Sequence, residues 1–145
     1  MKKLIFAFLI LFALGLNACS SGESSVEYPK TYNIVDVVSG EETEDGVVMI
    51  LETDGFGGTI EAEVTVKDGE ITKYEVIDHS ESDGWGKTII DDGDLTQAFV
   101  DESDELDDLE ISTYLDSKAS ATITAEALYD IALTALEHYE EDYSE

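Results

Sequence analysis

Alternating apolar and polar residues mark the stretch Gly58–Val66 as a half-buried β-strand, because side chains of a strand point to its two faces in turn. The apolar face carries Ile60, Ala62, Val64 and Val66. Lys67–Glu70 contains an Asp-Gly pair, which suits a tight hairpin turn, and Ile71–Ile77 is predicted to return as the partner strand. A short apolar run between two further Asp-Gly pairs predicts another strand over Val47–Glu52.

A helical repeat dominates the C-terminal part of the chain. From Thr124 to about Tyr139, apolar residues recur at three- and four-residue spacing, which predicts a helix packed on the apolar face of the hairpin. Thr122 or Thr124 is the expected N-cap, and residues 140–145 are expected to fray. The apolar stripe consists of Leu128, Ile131, Ala132, Ala135, Leu136 and Tyr139. The residues predicted outside the stripe are Glu126, Asp130, Thr134 and Glu137.

Weaker patterns connect the hairpin to this helix. The predicted elements are, in order, a loop over His79–Gly86, a short helix from Asp94 or Thr96 through Phe99, an acidic flexible connection over Asp101–Glu110, and a short strand over Leu109–Leu115. The fold class is therefore predicted to be α+β. It is an antiparallel β-sheet with a hairpin core, packed by a C-terminal helix and a short additional helix.

The first 18 residues have the pattern of a signal peptide. Lys2 and Lys3 precede the apolar run Leu4–Leu16, which is too short to span a bilayer as a helix. The Leu-Asn-Ala sequence before Cys19 resembles the lipobox of bacterial lipoproteins, in which the cysteine is lipidated and becomes the first mature residue. Lipidation of Cys19 would anchor the protein at the extracytoplasmic face of a bacterial membrane. An ordinary secretory signal followed by a chance cysteine is the alternative.

Composition divides the rest of the chain into a tether and one domain. Residues 19–30 are rich in Ser, Gly and Glu and end beside the only proline, Pro29, which predicts a tether. Residues 31–145 are the size of one domain. Cys19 is the only cysteine, which excludes an intrachain disulfide. His79 and His138 are the only histidines, and two histidines by themselves do not form a metal site.

Acidic residues dominate the charged positions. The chain has 35 Asp and Glu against 7 Lys and Arg, and removal of residues 1–18 takes away two lysines, which leaves a formal charge of about −30. Nucleic acid is not expected as a partner, because binding it requires many basic side chains to neutralise phosphates. The acidic clusters lack the spacing of a calcium loop, so the charge predicts a solvated, self-repelling surface.

The stretch Asp116–Thr124 is the strongest candidate for chemistry. It runs through small side chains to a hydroxyl at Thr122, and this lack of bulk leaves the hydroxyl accessible to a large partner. The helix that follows begins with unpaired N–H groups and the positive end of its dipole, which suits a bound or attached phosphate. The alternative is an ordinary capping arrangement at a helix N-terminus.

The only tryptophan, Trp85, lies between Gly84 and Gly86 in the predicted loop. An indole in such a position is either a plug in the core or a flat surface for a flat ligand. From these residues alone, the core plug is the preferred interpretation.

Three segments together share features with one known family. Gly55–Val76 begins Gly-Phe-Gly-Gly-Thr-Ile and continues as the hairpin, His79–Gly86 reads His-Ser-Glu-Ser-Asp-Gly-Trp-Gly, and Asp116–Thr124 reads Asp-Ser-Lys-Ala-Ser-Ala-Thr-Ile-Thr. They resemble the opening hairpin, the Glu-Thr-x-Gly-x-Gly loop and the Asp-x-x-Ser/Thr-Gly-Ala-Thr-x-Ser/Thr site of FMN-binding domains. Such domains occur in extracytoplasmic electron-transfer proteins, including subunits of the Rnf and sodium-pumping quinone reductase complexes. Ala119 and Ser120 depart from the pattern, so a side chain stands where a glycine turn is expected.

The resemblance implies FMN as the cofactor, with Thr122 esterified to its phosphate by a dedicated flavin transferase. Trp85 then becomes a ring-stacking surface. The implied function is electron transfer between a redox donor and an acceptor rather than catalysis by a stand-alone enzyme, since the sequence shows no nucleophile–base pair. A flavin-free, acidic interaction or binding module of the same fold is the alternative. The further cofactor-binding residues implied by the resemblance are Asp116, Ser120, Ala121, Thr124, Glu81, Gly84, Trp85 and Gly86.

Overall fold

Four consecutive strands form one antiparallel sheet in the computed structural model. The structure describes residues 33–115 and 119–144, and of residues 119 and 120 the backbone alone. The predicted signal peptide and tether, with Cys19, lie outside these residues, as does Asp116. Strands that are neighbours in sequence are also neighbours in the sheet. The strands are β1 (Asp36–Thr43), β2 (Gly46–Asp54), β3 (Thr59–Lys67) and β4 (Glu70–His79).

The hairpin of β3 and β4 confirms the alternation seen in the sequence. The four apolar residues of β3, namely Ile60, Ala62, Val64 and Val66, are all fully buried. The turn places Asp68 and Gly69 at φ angles of 55° and 83°, in the left-handed region that an Asp-Gly pair tolerates. Strand β2 is also confirmed. Strand β1 lacks a sequence signal because only Val37 among its residues is even half-buried, so this edge strand has no apolar face.

Three α-helices and two 3₁₀ turns follow the sheet. The helices are α1 (Trp85–Asp92), α2 (Asp94–Asp101) and α3 (Ala119–Asp142), and the 3₁₀ turns span Ser103–Asp108 and Ile111–Tyr114. Helix α2 confirms the predicted short helix. The prediction of a loop through Gly86 is wrong at its end, because α1 begins at Trp85 and continues to a stop at Gly93, whose φ is 71°. The strand predicted over Leu109–Leu115 is wrong as well, since a 3₁₀ turn occupies that stretch.

Helix α3 packs across the inner face of the sheet with its predicted stripe buried, although Tyr139 is only half-buried. It begins at Ala119, so Thr122 and Thr124 lie inside its first turns and neither is the N-cap. It continues to Asp142, three residues beyond the end predicted near Tyr139. Among the helices of the described residues, none combines the length and apolar character that crossing a bilayer requires.

The connection Asp101–Glu110 is anchored to the core, which contradicts the prediction of a flexible link. Ser103 and Leu106 are buried there despite the acidic residues around them. The Ser103 hydroxyl oxygen accepts a hydrogen bond from the Ile71 N–H at 3.0 Å. The Tyr129 hydroxyl of α3 donates to the Leu106 carbonyl at 2.9 Å. These two buried bonds join the 3₁₀ turn to the sheet edge and to the long helix.

Asp130 of α3 is fully buried, although the helical pattern places it outside the apolar stripe. Its Oδ2 accepts hydrogen bonds from the backbone N–H of Asn33 at 2.6 Å and from the side-chain amide of Asn33 at 3.0 Å. Donors at these positions offset the desolvation of the carboxylate, which a reading of α3 alone cannot reveal. Burial, together with the charge of Asp130, raises the pKa of the Tyr74 hydroxyl well above its ordinary value.

Replacing Asn33 by Ala is expected to lower the free energy of unfolding by about 1.5–3 kcal/mol, because a buried carboxylate loses one of its donors. Urea denaturation measures the change. Gln97→Ala is the matched control, since Gln97 donates the same kind of bond to the Asp101 carboxylate at 2.9 Å, but in solvent. The control is expected to change stability by less than about 0.5 kcal/mol. Equal effects in the two variants would contradict an anchoring role for Asn33.

Candidate functional site

The loop Gly55–Gly58 between β2 and β3 is built for close approach of neighbouring backbone. It closes on itself through a hydrogen bond from the Gly55 N–H to the Gly58 carbonyl at 2.7 Å. A methyl group on Gly55 or Gly57 would overlap with Glu81 or its backbone neighbours. Gly58 has a φ of 140°, a conformation that side chains rarely adopt. The three glycines in this four-residue loop therefore reflect both turn geometry and contact with the segment around Glu81.

Glu81 is the residue that joins the elements of the site. Its side chain is 8% exposed, and its Oε2 accepts the Gly57 N–H at 3.0 Å. Its Oε1 accepts a hydrogen bond from the hydroxyl of Thr124, on α3, at 2.9 Å. A Cβ at Gly86 would lie 2.7 Å from Glu81 Oε2 and 2.6 Å from Thr124 Oγ1, so a side chain there would displace the hydrogen-bonded pair. The carboxylate thus holds together the glycine loop, the start of α1 and the start of α3. We refer to Gly57, Glu81, Gly86 and Thr124 as the Glu81 cradle.

The backbone on the other side of Glu81 is also fixed. The N–H of Glu81 donates to His79 Nδ1 at 3.2 Å, at the end of β4. The N–H of Ser80 donates to the Thr59 carbonyl at 2.9 Å, which continues the pairing of β3 and β4 by one residue. The carboxylate of Glu81 is therefore positioned by the end of the hairpin and not by a free loop.

Thr122 and Thr124 are both on α3, but they differ in environment. Thr124 is fully buried, and its hydroxyl is engaged with Glu81. Thr122 is half-buried, and two residues along a helix correspond to a rotation of about 200°, so its side chain points away from Glu81. Because α3 begins at Ala119, Thr122 lies in the first turn, where backbone N–H groups have no acceptor within the helix. Thr122 therefore combines a partly accessible hydroxyl with the donor end of a long helix.

The remaining site residues predicted from the sequence are distributed around the cradle. Trp85 is the first residue of α1 and is 38% exposed, so the interpretation as a core plug is wrong. Gly84 has a φ of 155°, and a side chain there would meet no atom within 4 Å, so it borders open space. Ala121 is buried against the core. The side chain of Ser120 lies outside the described atoms. Contact of any of these residues with a cofactor stays a prediction.

The sequence analysis did not single out Gly57 and Phe56 as site residues, although both belong to the segment that carries the resemblance. Gly57 binds the Glu81 carboxylate, and Phe56 is 55% exposed beside it. The density of glycines in Gly55–Gly58 is the signal that would have identified them. Sequence spacing alone does not show that this loop meets Glu81.

Carboxylates border the site on the outer face of the sheet. Asp36, Glu52, Glu61 and Asp78, one from each strand, pair in direct cross-strand register. Like charges directly opposite disfavour a sheet, so this row produces a negative field next to the glycine loop. The lysines in the described residues are already engaged: Lys67 with the Glu44 carbonyl, Lys73 with Glu63 and Glu75, and Lys87 with Asp91. The ammonium groups of these three lysines are therefore already engaged by acceptors other than a phosphate.

A comparison with models of protein families matches residues 55–137 to the FMN-binding domain. The matched segment is more than half of the chain and contains the glycine loop, the Glu81 cradle and the first turns of α3. The protein belongs to the FMN-binding domain family, and it is a flavin-binding module with FMN as its cofactor. Comparisons with curated proteins and with solved structures gave no match.

The residues present fit the cofactor of this family. FMN is flat at one end and anionic at the other, so it requires an apolar surface and a polar, positively polarised contact. The half-exposed indole of Trp85 and the open space at Gly84 supply the first. The first turn of α3, with the Thr122 hydroxyl, supplies the second. The two parts belong to neighbouring segments, because Gly86, next to Trp85, and Thr124, two residues from Thr122, both contact the Glu81 carboxylate.

Proposed function

We propose that this protein is a lipid-anchored extracytoplasmic flavoprotein that carries FMN on Thr122 through a phosphoester and transfers electrons. Its partners are a redox donor and a redox acceptor, one of them at the membrane. The observation that carries the proposal is the position of Thr122, a partly accessible hydroxyl in the first turn of α3 within the matched FMN-binding domain. When bound, FMN supplies the one- and two-electron redox chemistry, and the protein supplies its position and surroundings.

One observation supports a covalent link over a non-covalent one. The acidic row on the sheet repels an anion held only by charge. A phosphoester keeps the phosphate in place against this repulsion, and the N–H groups of α3 then need only to orient it.

The proposed attachment uses FAD and a flavin transferase. The hydroxyl oxygen of Thr122 bonds to the flavin-side phosphorus of FAD, and the bond from this phosphorus to the AMP oxygen breaks. AMP leaves, and the hydroxyl proton passes to a base of the transferase. Thr124 is unsuited to this step, because its hydroxyl is buried and donates to Glu81. The half-burial of Thr122 leaves its hydroxyl partly accessible to a second protein.

A flavin-free interaction module is the second candidate function. Ala119 and Ser120 favour it, because they replace the Ser/Thr and Gly of the family site, and the acidic sheet face offers charge for a basic partner. Colour distinguishes the candidates. Protein from cells that contain the transferase is expected to be yellow and to stay yellow after denaturing precipitation. A colourless protein from such cells would support the interaction module.

Membrane attachment is expected to depend on Cys19. Replacing Cys19 by Ser removes the thiol that takes up the lipid, so metabolic labelling with a fatty acid is expected to be lost. The variant should also leave the membrane fraction or stay there only through an uncleaved signal. Ser20→Ala, one residue further on, is the control and should retain the label. Persistent labelling of the Cys19→Ser protein would contradict the lipoprotein assignment.

A further inference from the structure

Two aromatic residues at the Glu81 cradle share an unusual setting. Phe56 lies between Gly55 and Gly57, and Trp85 lies between Gly84 and Gly86. Phe56 is 55% exposed and Trp85 is 38% exposed, so each ring has access to solvent. Of the flanking glycines, Gly84 borders open space, whereas Gly55, Gly57 and Gly86 face Glu81 and its neighbours.

The contacts of Glu81 bring these two segments together. The Gly57 N–H lies 3.0 Å from Glu81 Oε2, so the Cα of Phe56 is at most about 5.5 Å from this oxygen by standard backbone dimensions. A Cβ at Gly86 would lie 2.7 Å from the same oxygen, so the Cα of Trp85 is at most about 8 Å from it. The two Cα atoms are therefore at most about 13–14 Å apart. At or below this separation, two aromatic side chains can both contact one planar ring.

Thr122 is within reach of the same place. Thr124 Oγ1 lies 2.9 Å from Glu81 Oε1, and residues two apart in a helix have Cα atoms about 5.5 Å apart, so the Cα of Thr122 is at most about 11 Å from the carboxylate. A ribityl chain several bonds long connects the phosphate of FMN to its ring system. A flavin attached at Thr122 can therefore place its ring beside the two segments that contain Phe56 and Trp85.

We infer that Phe56 is a flavin-positioning residue, and that Phe56 and Trp85 form an aromatic clamp on opposite faces of the isoalloxazine ring. This inference rests on the proposed attachment at Thr122. It assigns a role to the open space at Gly84, through which a planar ring can approach Trp85. It also explains why two large apolar side chains are exposed in the matched domain, beside the residues that bind Glu81.

The test compares flavin-loaded protein with Phe56→Ala, measured by flavin fluorescence and by iodide quenching. Mass spectrometry first establishes that each protein carries covalent flavin. Loss of one aromatic contact is expected to lower the ratio of stacked to unstacked flavin by about two- to ten-fold, so emission and iodide access should both rise. Phe56→Tyr retains a ring and should behave like the unchanged protein. Trp85→Ala should raise emission more than Phe56→Ala, because it also removes the indole quencher.

Val38→Ala is the matched control, because Val38 is also 55% exposed but lies in the β1 bulge, away from the Glu81 contacts. It should leave emission, iodide access and the flavin spectrum unchanged. Covalently loaded Phe56→Ala with unaltered emission and iodide access would overturn the clamp while leaving the attachment intact. Absence of covalent flavin from the unchanged protein, with an active transferase, would overturn the proposed function itself. A change in sedimentation of Phe56→Ala without a change in emission would identify Phe56 as an interface between copies instead.

Discussion

Thr122→Ala is expected to abolish covalent attachment of FMN while leaving the fold nearly intact. Co-expressed with a flavin transferase and supplied with FAD, the unchanged domain should gain the mass of one FMN less one water on the peptide that spans residues 116–124. The variant should gain nothing, because it lacks the oxygen that forms the phosphoester. Thr122 is half-buried and does not cap α3, so the loss of its hydroxyl should lower the free energy of unfolding by no more than about 1 kcal/mol.

Neighbouring hydroxyls provide the controls. Thr122→Ser keeps a hydroxyl on the same Cβ position and should still be modified. Thr124→Ala should keep the flavin but lower the free energy of unfolding by about 1.5–3 kcal/mol, because its buried hydroxyl donates to a carboxylate. Flavin found on Ser120 or Thr124 of the unchanged protein would refute the assignment of Thr122.

Ser120→Gly tests whether the departure from the family pattern slows the modification. Glycine restores the family's residue at this position and destabilises a helix by about 0.5–1 kcal/mol relative to Ala, so the first turn of α3 should open more easily. The rate of flavin attachment should rise if opening of this turn limits access of the transferase. An unchanged rate would show that the helical first turn is already accepted as a substrate.

Local patterns predicted the hairpin correctly, because both its signals are contained within a few residues. Alternation in β3 follows from burial of one face, and the Asp68–Gly69 turn follows from tolerance of positive φ. Strand β1 and helix α1 could not be predicted in the same way. Strand β1 is an edge strand with exposed side chains. Helix α1 begins at Trp85, directly after Gly84, and a glycine in sequence is a usual signal of a loop.

The start of α3 shows why the contacts within the site could not be predicted from the sequence. Thr122 and Thr124 resemble N-caps in sequence, because a hydroxyl before an apolar repeat is the usual signal of a helix start. The partner of Thr124 is instead Glu81, which is 43 residues earlier in the chain. Asp130 is comparable, since its donor Asn33 is 97 residues away. Motif resemblance selected the candidate residues, whereas the pairing between Glu81 and Thr124 depends on the packing of α3 against the sheet.

Glu81→Ala is expected to have the largest effect on stability of any single change in the site. It removes the acceptor of the Gly57 N–H and of the Thr124 hydroxyl, and the Thr124 hydroxyl is fully buried. Two hydrogen bonds to a charged group contribute about 1.5–3 kcal/mol each, and removal of one partner also leaves the other desolvated. Because the two bonds share one carboxylate, their effects are not additive, and we expect a total loss of about 3–5 kcal/mol in urea denaturation.

Glu81→Gln separates the loss of charge from the loss of shape. Its amide oxygen can still accept the Gly57 N–H, and its amide N–H₂ can donate to Thr124 Oγ1, so we expect about half the destabilisation of Glu81→Ala. The fluorescence emission of Trp85 should shift in Glu81→Ala and shift less in Glu81→Gln, because the Glu81 carboxylate positions Gly86, the residue that follows Trp85. This second measurement reports on the cradle itself and not on global stability.

Glu61→Ala is the control for the general effect of removing a carboxylate from so acidic a protein. Glu61 lies in the cross-strand row, directly opposite Glu52 on one side and Asp78 on the other. Its removal relieves repulsion, so stability should be unchanged or rise by a few tenths of a kcal/mol. If Glu81→Ala destabilised the protein no more than Glu61→Ala, Glu81 would be one more surface carboxylate. The convergence of the glycine loop, α1 and α3 would then have to depend on apolar packing alone.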